Sequence, residues 1–310
     1  ERKLTFIMTG SSARTLRRRG VNLLAGRAYT FHLYPLTAAE LGSSFSLDFS
    51  LQHGHLPSLY STAEKPELFL DSYIETYLRE EVLQEGVTRI LGSFSRFLEA
   101  AAFSQSSVLN ISDVARESGI ERRTVSNYFD ILEDLLLAFR LPVFTRRAKR
   151  RLISHSKFYY FDAGVFRTIR PAGPLDRPQE IEGQALETLC IQELLAVNEY
   201  YGMGYSLHFW RTSHGVEVDC VLYGERGLIA IEVKHSARVN AKSLRGLRLF
   251  LSDYPEARAY LFYMGKREEY WEGIHVIPVD KALRSLPGLL SGSQPHGAED
   301  SLGPKEPQGI

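Results

Sequence analysis

The sequence predicts a multidomain protein of mixed α/β and α+β class, and three observations lead there. Its 310 residues exceed a single domain of about 100–200 residues. A helix-turn-helix pattern occupies the middle of the chain, and beyond it strand-like runs alternate with helical ones. With 44% hydrophobic and 24% charged residues the composition is that of a chain with a packed core, which argues against a disordered, collagen-like or membrane-embedded protein. The 37 basic and 37 acidic side chains balance, so any nucleic-acid contact must come from local basic patches.

At the start, Leu4-Thr5-Phe6-Ile7-Met8 reads as a buried strand running into the polar turn Thr9-Gly10-Ser11-Ser12, with a basic helical stretch from Ala13 to Arg19. So little structure cannot bury a core. Residues 1–41 are therefore expected to be the tail end of a domain whose front lies upstream, with Glu1 not a natural start. No run reaches the ~18 apolar residues a membrane span needs, and the chain reads as cytoplasmic with no membrane partner. Cys190 and Cys220 lie in apolar stretches without Cys-x-x-Cys spacing and read as reduced, buried thiols.

Residues 42–85 read as a linker and packing helix: Ser, Gly, His and Leu without a sustained period up to Lys65, then a helix from Leu68 to Leu83. A second packing helix, Val87 to Phe103, opens a module over 86–161. Within it, Ile111 to Ile120 reads as short helix, Gly119 turn, new helix, and the helix from Glu121 to about Leu137 buries Val125, Phe129, Leu132 and Leu136. That burial presents Arg122, Arg123, Ser126 and Asn127 outward, as a groove-reading helix would. Strands at Leu137 to Phe144 and Lys157 to Phe161, joined by the basic turn Arg146, Arg147, Lys149, Arg150 and Arg151, complete a winged helix-turn-helix pattern. Five charges within six residues suit phosphate contact. DNA docking through this helix and wing is the expectation, against a packing or partner-binding module with a solvated basic turn.

Over 162–290, Gly164 to Asp176 reads as a loop, and Glu182 to Tyr200 as an amphipathic helix with Ala185, Leu186, Leu189, Leu194 and Leu195 in its apolar stripe. Strands follow at Leu207 to Arg211, Val216 to Tyr223 and Gly227 to Lys234, then a helix near Lys242 to Ser252 and strands at Ala257 to Met264 and Ile274 to Pro278. Residues 291–310 read as a disordered tail. In the central hairpin, strand alternation sends Glu232 and Lys234 one way and Ile231 and Val233 into the core, while Asp219 arrives from the partner strand. Two carboxylates and an ammonium at a sheet edge suit phosphodiester hydrolysis with Mg²⁺ on the carboxylates and Lys234 near the attacking water. Glu187 on the preceding helix adds a third carboxylate. His235 reads as a strand-end residue, and Tyr159-Tyr160-Phe161 as core.

Asp219 followed by Glu232-Val233-Lys234, after a helix bearing Glu187, resembles the PD-(D/E)xK, restriction-endonuclease-like superfamily, with Val218 in place of the name-giving proline. The resemblance implies that Asp219, Glu232, Lys234 and Glu187 are catalytic, with Asp219, Glu232 and Glu187 as metal ligands.

Residues 1 to about 290 also resemble a family of prokaryotic ATP-binding proteins, in which an AAA+ module precedes a C-terminal region of unassigned function built from a winged helix and a nuclease-like core. The match runs through Thr9-Gly10-Ser11-Ser12 as a sensor-1 strand end, Leu24-Ala25-Gly26-Arg27 as the turn of an arginine finger, and Leu33-Tyr34-Pro35-Leu36 as the next strand. Its most specific part is Trp210-Arg211-Thr212, Glu217-Val218-Asp219 and Ile231-Glu232-Val233-Lys234. The resemblance implies ATP binding and a homo-oligomer through the AAA+ module. This chain carries no G-x-x-x-x-G-K-[ST] loop, so Ser11 and Arg27 are ATP-related remnants and ATP is expected only with an N-terminal half supplied. The expected function is nucleic-acid binding with Mg²⁺-dependent cleavage, and the alternative is a non-catalytic DNA- or protein-recognition module attached to an ATPase.

Overall fold

A computed structural model describes residues 29–61, 64–78 and 91–292, together with Ile7 and Thr9. Ser11, Arg27, the expected helix at 13–19, residues 79–90 and the tail from 293 lie outside the described residues. The described residues are mixed α/β with two sheets.

The stretch expected to be a connecting loop is helical. After α1 (Ala38–Leu41) it holds a 3-10 turn at Gly42–Ser44, α2 (Leu47–His53) and α3 (Pro57–Ser61), while α4 (Pro66–Ser72), running into a π-helical turn at Tyr73–Leu78, falls where a helix is expected over Leu68 to Leu83. Side-chain caps explain such short helices. Thr37 and Glu40 close a capping box on α1, and Ser46 accepts from the Phe49 N–H at the start of α2. The strand expected at Leu33 to Leu36 is irregular backbone. Its polar groups go to a helix instead, with the Tyr34 hydroxyl donating to Glu199 at 2.8 Å and the Tyr34 N–H to the Tyr200 hydroxyl at 2.8 Å.

Next come α5 (Leu91–Ala102), β1 (Ser107–Val108), α6 (Ile111–Ser118), α7 (Arg122–Asp134), β2 (Ala138–Leu141) and β3 (Lys157–Tyr160). The strands form an antiparallel sheet with β3 in the middle, Lys157 opposite both Val108 and Leu141. Asn110 caps α6, and Gly119 ends it in the left-handed region at φ 66°, a conformation that costs glycine nothing. α7 buries Val125, Phe129 and Leu132 as expected, and also Tyr128 and Ile131. It stops at Asp134, short of the expected end. Leu136 takes φ 60° and is 43% exposed, not buried, because the chain turns there into β2. Phe94, Phe97, Phe129 and Phe158 form the centre of this core, each contributing on the order of 2–3 kcal/mol by burial.

The loop expected at 164–176 begins with a helix, α8 (Ala163–Ile169), capped by Asp162. α9 (Pro178–Tyr200) starts earlier than expected and is buried on nearly every side, Thr188, Gln192 and Glu193 included. The expected one-sided apolar stripe is absent because α9 is shared: Ala185 joins the α5–α7 core, while Leu186, Leu189 and Leu194 cover the larger sheet.

That sheet contains β4 (Ser206–Arg211), β5 (Glu217–Gly224), β6 (Gly227–Lys234), β7 (Arg258–Tyr263), β8 (Glu269–Trp271) and β9 (Ile274–Pro278), in the order β4-β5-β6-β7-β9-β8. β4, β5 and β6 form an antiparallel meander. α10 (Arg245–Asp253) then crosses over from β6 to bring β7 parallel to it, and β9 pairs parallel with β7. α10 covers one face through Leu247 and Phe250, over Trp210, Val218 and Leu261. α9, α11 (Val279–Arg284) and α12 (Leu286–Ser291) cover the other, over Ile229, Ile231, Val233 and Ile277. β8 and the last two helices go beyond the sequence expectation. Both cysteines are free and buried, and Tyr159 and Tyr160 are core residues. Among the described residues no helix is long and apolar enough to cross a membrane.

Candidate functional site

β3, α9, β5 and β6 bring their charged side chains to one place. β6 is buried over Leu228 to Val233, and alternation puts Ile231 and Val233 in the core under α9 and Glu232 on the opposite side, as expected. The site is not an exposed sheet edge, however. Asp219 is 2% and Glu232 5% exposed. Gly246, in the first turn of α10, lets that helix close over the strands: a Cβ there would stand 2.0 Å from the Glu217 carbonyl oxygen and 3.4 Å from Glu232 Oε2.

All four of the residues expected to be catalytic converge. Around them lie groups that the sequence reading missed, foremost Lys157. Its ammonium is 1% exposed and lies 3.0 Å from Glu187, 3.5 Å from Asp219 and 3.6 Å from Glu217. Tyr159 donates to the same Glu187 oxygen at 2.5 Å, and Arg211 pairs with Glu217 at 3.2 Å. The second Asp219 oxygen accepts the Val233 N–H at 2.8 Å. Lys234 lies 2.5 Å from Glu232 Oε1, and Glu232 Oε2 is buried without a hydrogen-bond partner. A signal for the missed residues existed. Lys157 opens an otherwise aromatic strand, and Glu217 stands two residues before Asp219, on the same strand face.

Burial dominates the electrostatics. It pushes the Glu187 carboxyl up to about 7, partly offset by Lys157 and reinforced by Asp219. Glu232 is raised well above its ordinary value by burial and then by Asp219. For Lys157 and Lys234 burial works the other way, but the surrounding carboxylates outweigh it and hold both ammonium groups above the ordinary lysine value.

For Mg²⁺, which the nuclease resemblance implies, the arrangement does not fit as it stands. The Lys157 ammonium already lies against three of the carboxylates, and one Asp219 oxygen is committed to backbone. Among the described residues, no three His, Cys, Asp or Glu side chains are placed to share one ion.

The residues expected to contact DNA separate into two groups. Arg122, Arg123 and Asn127 lie exposed on α7. The basic turn instead docks on the larger sheet: the Phe144 N–H donates to the Phe209 carbonyl and the Ile153 N–H to that of Arg211. Arg150 pairs with Asp253 at 2.8 Å, and Arg146 lies 4.8 Å over the Tyr223 ring. All five basic side chains of the turn are exposed, and Arg146 and Arg150 are in addition engaged with the sheet and α10. His235 ends β6 and pairs with Glu182 at 3.3 Å.

Residues 182–282 match a domain of unknown function, DUF4143, and residues 44–176 match another, DUF8612. An uncharacterized protein of Mycobacterium tuberculosis is 27% identical over 288 residues, covering 90% of this chain and 63% of its own length, and one of Mycobacterium bovis matches equally. An uncharacterized Haemophilus influenzae protein is 26% identical over 183 residues, 52% of this chain and 45% of its own. The chain thus spans 63% of the length of the mycobacterial relatives it matches. No solved structure matches.

Proposed function

We propose that this chain is the C-terminal part of an ATP-binding protein of the AAA+ class and serves there as a nucleic-acid-recognition module, with a winged helix that docks on DNA and a restriction-endonuclease-like core. The exposed Arg122, Arg123 and Asn127 on a helix whose other face is buried carry the reading. Helix, strand, two helices and two strands around a small sheet, with the second of the paired helices presenting basic side chains, is the arrangement a groove-reading module needs. The ATPase assignment is supported by the occurrence of DUF4143 in proteins associated with AAA ATPases. Ser11 and Arg27 keep their role as remnants, ATP binding rests on an N-terminal half, and assembly into homo-oligomers through the AAA+ module belongs to the same proposal. A cytoplasmic location goes with it.

Metal-dependent cleavage through Asp219, Glu232, Lys234 and Glu187 is the second reading. What favours it is the buried, unpartnered oxygen of Glu232. What disfavours it is Lys157, whose charge already offsets the acidic cluster. The test is labelled single-stranded, duplex and branched DNA with Mg²⁺ or Mn²⁺, comparing the chain with Lys234→Ala. Binding without cutting supports recognition. Metal-dependent cutting lost in Lys234→Ala establishes the nuclease, and absence of binding at low salt overturns both.

A further inference from the structure

We propose that Lys157 is a built-in counter-ion occupying the place of a divalent metal, so that the intact cluster takes no such ion and a chain neutral at position 157 takes one at Asp219. The inference rests on the nuclease-like reading of the core but not on DNA binding, and a chain that binds no DNA leaves it standing.

Burying an ammonium costs several kcal/mol unless opposing charge surrounds it. Here three carboxylates from α9 and β5 do so, at 3.0, 3.5 and 3.6 Å. The lysine is enclosed, with 1% of its side chain exposed. Its backbone is in register with Val108 on one side and Leu141 on the other, and its ammonium lies 5.6 Å from the centre of the Phe209 ring. With Glu187, Glu217 and Asp219 turned toward it, the ammonium does electrostatically what a hard cation held by carboxylate oxygens would do. Glu232 Oε2 and Glu217 Oε2 are both buried in the cluster without a hydrogen-bond partner. Removing the Lys157 charge without its bulk, as Lys157→Met does, takes the nearest cation from Glu187 and Asp219 while Arg211 stays paired with Glu217, and a divalent ion is the remedy within reach.

The experiment counts free Mn²⁺ by its EPR signal during titration of the wild-type chain, Lys157→Met, and Lys157→Met combined with Asp219→Asn. The expected result is one Mn²⁺ per chain for Lys157→Met, bound about tenfold or more tightly than by the other two. An Asp219-dependent Mn²⁺ site of equal strength in the wild-type chain overturns the proposal, as does a folded Lys157→Met that binds none. If Lys157→Met folds poorly, thermal unfolding decides. Mn²⁺ raising its Tm while leaving the wild type unchanged supports the proposal, and no rescue by Mn²⁺ or Mg²⁺ overturns it.

Discussion

Two charged clusters buried among the described residues are built differently. In the first, at the junction of α2, α8 and α9, the Asp162 carboxylate is held by backbone and one Glu193 oxygen accepts a backbone N–H, the other being buried without a partner. Asp162 accepts from the His55, Gly164 and Val165 N–H groups at 2.8, 2.9 and 3.0 Å, and Glu193 from the Ala38 N–H at 2.6 Å. The His55 ring lies 2.7 Å from the Ser50 hydroxyl and 3.4 Å from Glu193. Gly54 and Gly164 let the chain approach this closely, since a Cβ at either would stand 2.0 Å from Asp162 or 1.9 Å from the His53 carbonyl oxygen. In the second cluster, around Lys157, carboxylates meet side-chain cations, and Lys234 reaches solvent with 38% of its side chain exposed. A cluster tied to backbone positions helices. A cluster of side chains with one member in solvent is where a ligand's charge can be answered.

The contrast is sharpest in Lys157→Met, which leaves buried carboxylates uncompensated and is expected to cost about 3–5 kcal/mol in urea unfolding without added metal. A cost below about 1 kcal/mol would mean that those carboxylates simply take up protons, and the cluster would lose its electrostatic meaning. Asp162→Ala strips partners from three backbone donors and is expected to cost about 2–3 kcal/mol, independent of metal. If Mn²⁺ restored that loss, the two clusters would not be distinct.

Burial raises the carboxyls of both clusters, Asp162 and Glu193 in the first and Glu187 in the second, and Glu187 reports on the second. The Glu187 carboxyl is raised from 4.5 to about 7 by burial, so between those values the folded chain binds a proton the unfolded chain has released. Its contribution therefore favours folding below pH 4.5 and falls away as pH rises through 7. Glu187→Gln is expected to flatten the loss of stability over that window. An unchanged slope would assign it to other groups.

How much of this is legible in the sequence follows from what each residue leans on. Asp219, Glu232 and Lys234 lie on strands whose period of two fixes their direction, so their meeting is readable from one hairpin. Lys157 is not, because it arrives on a strand of the smaller sheet and joins the cluster only through tertiary packing. The His55 cluster is equally silent: a region without hydrophobic period reads as a loop, whereas caps at Thr37 and Ser46 and the backbone bonds to Asp162 make it helical and fixed. The basic turn is legible as charge but not as a docked segment, since its docking depends on Phe144 entering the core beneath α10.

That docking yields the smallest effect. Asp253→Ala releases Arg150, which is 41% exposed, and is expected to cost below about 1 kcal/mol while leaving DNA affinity unchanged or slightly raised. A fall in DNA affinity would mean the Arg150 pair orders a turn that binds.

The most direct test of the account is a fluorescence-anisotropy titration of duplex DNA in EDTA across a salt series, comparing the chain with the triple variant Arg122→Ala, Arg123→Ala, Asn127→Ala. The account predicts binding without metal, weakened by about tenfold or more in the variant, with the slope of log affinity against log salt reduced by about 0.9 for each phosphate no longer neutralised. Equal affinity and slope in both chains, or binding that appears only when a divalent ion is added, would contradict it.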